Sequence, residues 1–212
     1  RLNDAAVEMQ SSALIGAGAV CGRSDGSLRK VTVDGDTTVN VTLDGTMTAA
    51  RGVGGIAGVL DLADGDTVKA LSVSGTVTAA LTNDGTYSMG RGGIGGVAGY
   101  ASLAGGAKIE DCANEATVTG SRSTGGIVGC AVSTGGTAAD VLSCDNEGLI
   151  LADRNAGASQ YANGYNFGGV VGCGNQVVLD RCTSRSGYAN GYKYKVSDRA
   201  LLRGSRVGGI LG

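Results

Sequence analysis

The sequence predicts an all-β fold, a right-handed parallel β-solenoid (a β-helix) of five to six coils carrying loop insertions. Three observations point there. A five-residue glycine box recurs along the chain, short segments of alternating apolar and polar residues lie between its copies, and the 212 residues include no proline. Lack of proline suits a chain in which nearly every backbone N–H is needed for a ladder bond.

The composition narrows how such a core is built. Forty glycines accompany 42% hydrophobic residues, yet there is no Trp and one Phe. Aromatic rings supply much of the buried area of ordinary cores, so this core has to be thin and stacked from Ala, Val, Leu and Ile. High glycine content also marks low-complexity chains, but here the aliphatic residues fall at regular positions. The net charge is −2, from 17 basic and 19 acidic residues. No basic run interleaves with aromatics, so nucleic acid is not an expected partner. No apolar run is long enough to span a bilayer. The chain starts at Arg1 and stops on a box at Gly212, and so reads as a fragment with flanking domains of the same chain as neighbours.

The box is Gly-Gly-aliphatic-x-Gly. It occurs at Gly54-Gly55-Ile56-Ala57-Gly58, Gly95-Gly96-Val97-Ala98-Gly99 and Gly125-Gly126-Ile127-Val128-Gly129. Two more copies are Gly168-Gly169-Val170-Val171-Gly172 and Gly208-Gly209-Ile210-Leu211-Gly212, and a degenerate one starts at Gly18. Starts at Gly18, Gly54, Gly95, Gly125, Gly168 and Gly208 give an uneven period. It stays within the range of roughly 20–50 residues that marks repeat architectures. Between boxes run Ile109-Glu-Asp-Cys112-Ala-Asn114-Glu-Ala-Thr-Val118 and Val141-Leu-Ser-Cys144-Asp-Asn146-Glu-Gly148-Leu-Ile150, with weaker versions at Val41–Met47, Val68–Val77 and Leu179–Cys182. Their apolar–polar alternation is the period of a strand, and Asn, Asp and Gly punctuate the runs.

Each repeat therefore supplies two or three short strands that cannot bury an inward face alone. Coils stacked at about 4.8 Å bury one continuous aliphatic column. Glycine in the box is expected to supply positive φ and close backbone approach at a corner. Residues 1–17 are read as a preceding coil or short helical cap, and 18–212 as the solenoid. A β-sandwich or propeller would lean on Trp, Tyr and Pro at fixed places.

The boxes followed by Ile-x-x-Cys-x-Asn-x-x-x-Val resemble the GLUG-motif repeats of bacterial surface proteins. The resemblance runs from about Gly18 to Gly212. It implies an exported, often wall-anchored bacterial protein, adhesin-like, in which the repeats act as stalk or scaffold. Similar repeats occur in some immunoglobulin A peptidases.

Candidate chemistry is sparse. Cys112, Cys144 and Cys182 share one repeat position, and Cys130 and Cys173 each follow a box. Six cysteines in an exported chain suggest disulfides. Equivalent solenoid positions, however, put Cβ vectors side by side, which favours a ladder of buried thiols acting as small hydrophobes. Without His or a Cys-x-x-Cys pair a zinc site is not expected, and no other metal or cofactor is. Acidic Asp-Gly pairs at Asp34, Asp44, Asp64 and Asp84 read as tight turns rather than calcium loops. With no His, the chain builds neither a Ser-His-Asp triad nor a zincin site, and an enzyme is not expected. Asp111, Asp145 and Asp180 are the only candidates for a carboxylate row like that of polysaccharide-cutting β-helices.

The tyrosines are the candidate binding residues. Tyr87 precedes one box, and the near-copies Tyr161-Ala-Asn163-Gly-Tyr165 and Tyr188-Ala-Asn190-Gly-Tyr192-Lys-Tyr194 precede two others. They sit where the return to the next box is long. The stretches from Leu71 to Gly95, Cys144 to Gly168 and Cys182 to Gly208 are close to twice the stretch from Cys112 to Gly125. Tyr with Asn and Gly gives rigid amphipathic contact area, as in antibody paratopes, and solenoid insertions are often the binding face. A host or microbial glycan or surface protein is the partner such loops suit. The alternative is that the tyrosines pack down and cover a thin core. The structural residues expected are the box glycines Gly54, Gly55, Gly95, Gly96, Gly125, Gly126, Gly168, Gly169, Gly208 and Gly209, with the cysteine column.

Overall fold

A computed structural model describes residues 1–11, 15–43, 50–81, 92–120, 123–152, 166–185 and 206–208. Every described element is a strand, and every strand pairing is parallel. The chain is a parallel β-solenoid. Its coils lay four stacks of strands in a fixed order, each strand hydrogen-bonding its counterpart one coil away.

Stack one holds Ala6–Ser11, Thr38–Leu43, Thr76–Leu81, Thr117–Gly120 and Ile150–Ala152. Stack two holds Gly16–Ala17, Arg51–Gly54, Gly92–Gly95, Thr124–Gly125, Asn166–Gly168 and Arg206–Gly208. Stack three holds Cys21–Ser24, Ala57–Leu62, Ala98–Leu103, Val128–Ser133 and Val171–Asn175. Stack four begins with Leu2–Asn3, Arg29–Asp34 and Thr67–Val73. In later coils each of its strands divides in two, as in Lys108–Glu110 with Ala113–Asn114. The strands Leu2–Asn3, Ala6–Ser11 and Gly16–Ala17 pair in register with the coil that follows.

The glycine box joins stacks two and three, and its geometry corrects two expectations. The described box glycines are not in the left-handed region; among the described glycines that φ occurs at Gly35, Gly65, Gly75, Gly106 and Gly136, in other turns. What the box glycines, and Gly93 just ahead of a box, provide is absence of a side chain. A Cβ on Gly93 would lie 2.2 Å from the Gly99 carbonyl oxygen and 2.4 Å from the Cys130 nitrogen, and one on Gly58 would lie 2.3 Å from the Ala17 nitrogen. Stacks two and three thus press back to back along a glycine seam. The tip of this arch reaches across the coil, where a Cβ on Gly55 would meet Val73 Cγ2 at 2.6 Å and one on Gly96 would meet Asn114 Oδ1 at 2.1 Å.

The arch is consequently re-entrant and divides the core, where a single continuous column was expected. One aliphatic column lies between stacks three and four, built from Leu60, Leu71, Leu103, Ile109 and Val141 with arch-tip residues Ile56, Val97, Ile127 and Val170. A second lies between stacks one and two, built from Val39, Val53, Val77, Ile94, Val118, Ile150 and the sole Phe, Phe167. A small third group, Val59, Tyr100 and Cys130, sits apart from both. Alternation along the strands assigns residues to a column: in Thr76–Leu81, Val77 and Ala79 point inward and Thr76 and Thr78 outward.

Stack four carries a second device. Lys30, Ala70, Asp111, Ser143 and Arg181 occupy equivalent positions of five coils, and all five have φ between 51° and 55°. Non-glycine residues rarely adopt this region. The repeated kink bends the stack so that the next residue, Val31, Leu71, Cys112, Cys144 or Cys182, turns toward the core.

Candidate binding surface

Three surfaces bear on function. The first is the junction between stacks one and two. Residues 44–49, 82–91, 121–122 and 153–165 each follow a stack-one strand and precede a stack-two strand. The length of chain between paired positions changes most across this junction. Gly120 pairs with Ala79 and Thr124 with Ile94, so the short connection 121–123 stands opposite the long one 80–93. The following coil reverses this. Ala152 pairs with Gly120 and Phe167 with Thr124, so 153–166 stands opposite 121–123. Across the box itself nothing is inserted: Ile94, Thr124 and Phe167 pair in series, and so do Ala98, Val128 and Val171 on the far side.

Of the tyrosine candidates, Tyr87, Tyr161 and Tyr165 with Asn163 belong to these stretches, and Tyr188, Asn190, Tyr192 and Tyr194 fall in 186–205, which follows a stack-four strand. Tyr87, Tyr161, Asn163, Tyr165, Tyr188, Asn190, Tyr192 and Tyr194 all lie outside the described residues, as does Gly209. Tyr100, which the sequence reading did not single out, is 7% exposed and packs against Val59 and Cys130 beside Ala50.

The second surface is the outer face of stack one. Thr38, Thr76 and Thr117 form one row and Asn40, Thr78 and Thr119 the next, all exposed or half-exposed. Exposed Glu8, paired with Asn40, is the charged residue in these rows, and elsewhere on the face β-branched side chains suit the pleat.

The third is the outer face of stack four, where the kinks open a shallow groove of about 180 Å³ lined by Thr32, Asp34, Ser72, Ser74, Ala113 and Glu115. Ser72 Oγ meets Thr32 Oγ1 at 3.3 Å, and Asp34 pairs with Arg1. On the other flank of the kink, Lys69 Nζ bridges Glu110 at 2.8 Å and Asp111 at 3.2 Å. These hydrogen bonds raise the Lys69 pKa.

The three aspartates considered for catalysis do not form one row. Asp111 is at the kink, Asp145 pairs in register with Ala113 beyond it, and Asp180 pairs with Leu142 before it. Each is engaged locally: Asp111 with Lys69, Asp145 with the Thr183 hydroxyl, Asp180 with Arg181 at 3.2 Å. Asp66 closes a turn, accepting from the Ala63 N–H at 3.0 Å and from the Ser27 hydroxyl at 3.1 Å. Asp44 and Asp84 lie outside the described residues. Among the described residues no three potential metal ligands gather.

All six cysteines are free thiols. Cys112, Cys144 and Cys182 stack in one column, and each Sγ donates back across its kink to the carbonyl two residues earlier: Glu110 at 3.3 Å, Leu142 at 3.3 Å and Asp180 at 3.5 Å. Cys144 and Cys182 also reach the coil below, at Ile109 O and Val141 O. Sharing hydrogen bonds with the neighbouring sulfur, together with burial, pushes the Cys144 and Cys182 thiols up, whereas the bond from Cys144 holds Cys112 down. Beside this column runs a ladder that sequence reading did not assign. Asn114 and Asn146 are fully buried, above Val33 and Val73, with Ser184 next in line.

No protein family, curated protein or solved structure matches the chain.

Proposed function

We propose that the chain is a structural and adhesive repeat domain of a bacterial cell-surface or secreted protein, acting as a stalk or scaffold. The observation that supports this most is the unbroken in-register stack. Each described coil offers the next the same strand edges, so length grows by about 4.8 Å per coil. Such a module sets distance between whatever flanks it. The resemblance to GLUG-motif repeats supplies the surface setting.

A second reading has its own support. The segments bearing Tyr87 and Tyr161 leave from the same stack and return to the same stack, so their insertions share one side of the solenoid's topology. On this reading the Tyr/Asn segments bind a glycan or a protein.

One experiment separates them. The chain is screened on glycan and surface-protein arrays beside Tyr161→Ala and Tyr192→Ala. Scaffolding predicts no specific binding by any of the three. Specific binding that both substitutions weaken replaces it with the binding reading, and polysaccharide cleavage by the chain would refute both.

A further inference from the structure

Cys130 and Cys173 stand apart from the other thiols. They are register partners on adjacent rungs of stack three, about 4.8 Å apart across the ladder. That lies inside the Cα range of about 4.4–6.8 Å that disulfides accept. The Cys130 thiol hydrogen-bonds to Cys173; the thiols of the other column also bond one another, but each of those is tied to a kink carbonyl as well. Cys130 is wholly buried beside Tyr100, and Cys173 is half-buried.

We propose that Cys130 and Cys173 are a reversible disulfide site, entered at Cys173 by small-molecule disulfides. The Cys173 thiol loses its proton, and its sulfur attacks one sulfur of the reagent, forming a mixed disulfide. The other half of the reagent leaves as a thiolate and takes up a proton. The Cys130 thiol then loses its proton and attacks the Cys173 sulfur, expelling the second half in the same way. Two protein thiols are oxidised to one bridge as one disulfide is reduced to two small thiols. Parallel Cβ vectors disfavour a permanent staple here; closing the bridge must draw the two Cβ atoms about 1 Å closer than the ladder spacing holds them. A bridge formed under that constraint is readily reduced, which makes it a reporter of the surrounding redox state.

The test treats the folded chain with excess oxidised glutathione at mildly alkaline pH, followed by mass spectrometry and peptide mapping. The expected product has lost two hydrogen atoms, retains four of its six free thiols, joins the Cys130 and Cys173 peptides, and returns to the starting mass with dithiothreitol. Cys130→Ser should trap glutathione on Cys173. If that variant does not fold, the map of the unaltered chain decides alone. A bridge confined to Cys144 and Cys182, a mixed disulfide at Cys173 that never resolves in the unaltered chain, or thiols that react only after denaturation would each overturn the proposal.

Discussion

Asn114 Nδ2 donates to Asn146 Oδ1 at 2.7 Å, linking successive coils through the interior. Asn114 Nδ2 also reaches Ala116 O at 3.1 Å, and Asn146 Nδ2 reaches Gly148 O at 3.2 Å, so each amide closes its own corner as well. Removing one member leaves buried partners unpaired. Asn146→Ala should destabilise by about 2–3 kcal/mol. Replacing both asparagines by Val, the residue at 33 and 73 in the same column, should cost about 1 kcal/mol less than the sum of the single changes. Denaturant titration of the four proteins measures this coupling.

The glycine seam predicts a sharp contrast between glycines. Gly93→Ala places a Cβ against two backbone atoms with no flexible side chain to yield, and should destabilise by about 3 kcal/mol or more. Gly26 has nothing within 4 Å of its would-be Cβ and no left-handed φ. Gly26→Ala should be neutral or stabilise by about 0.5 kcal/mol. Comparing the midpoints of urea unfolding tests both.

Ala70 sits at the kink with φ 54°. A β-branched residue tolerates that region worst, so Ala70→Val should destabilise by about 1–2 kcal/mol. Ala70→Gly removes the strain but loosens the unfolded chain, and should leave stability unchanged within about 0.5 kcal/mol. Equal losses in thermal melts of the two variants would contradict the kink as described.

The thiols set the alkaline limit. Cys130 and Cys144 have folded pKa values above the ordinary thiol range, Cys130 through its bond to Cys173 and burial, Cys144 through its bond to Cys112 and burial. The unfolded chain therefore sheds these protons first as pH rises. Stability is fully present below about pH 8.5 and declines above it, with a limiting slope of about 1.4 kcal/mol per pH unit for each such thiol. Cys112, shifted the other way, offsets part of this. Unfolding midpoints between about pH 8 and pH 10 should fall, and Cys144→Ala should flatten the decline.

The parallel stack was legible because the box and the Cys-x-Asn segments repeat and because Val77 and Val118 alternate with polar neighbours. The role of the box glycines was only half legible. Gly58 is needed for what faces it, and its neighbours Ala17 and Gly22 are fixed by pairings that a one-dimensional string does not contain. The kink escaped notice because Lys30, Ala70, Asp111, Ser143 and Arg181 share a conformation and no chemistry. Asn114 and Asn146 were visible as a repeat, but their mutual bond depends on a register between coils that only the ladder sets. Asp111, Asp145 and Asp180 looked equivalent by proximity to cysteine and are not, since each is displaced differently from the kink.

The constant length of the glycine arch has an evolutionary corollary. Between neighbouring coils the arch admits no insertion, while the junction between stacks one and two lengthens in one coil and shortens in the next. Recombination between glycine-box coding sequences would therefore exchange, duplicate or delete whole coils without a frame error in the ladder. Lineages carrying such a domain can remodel the insertions and the number of coils independently, with the arch as the fixed point of crossover.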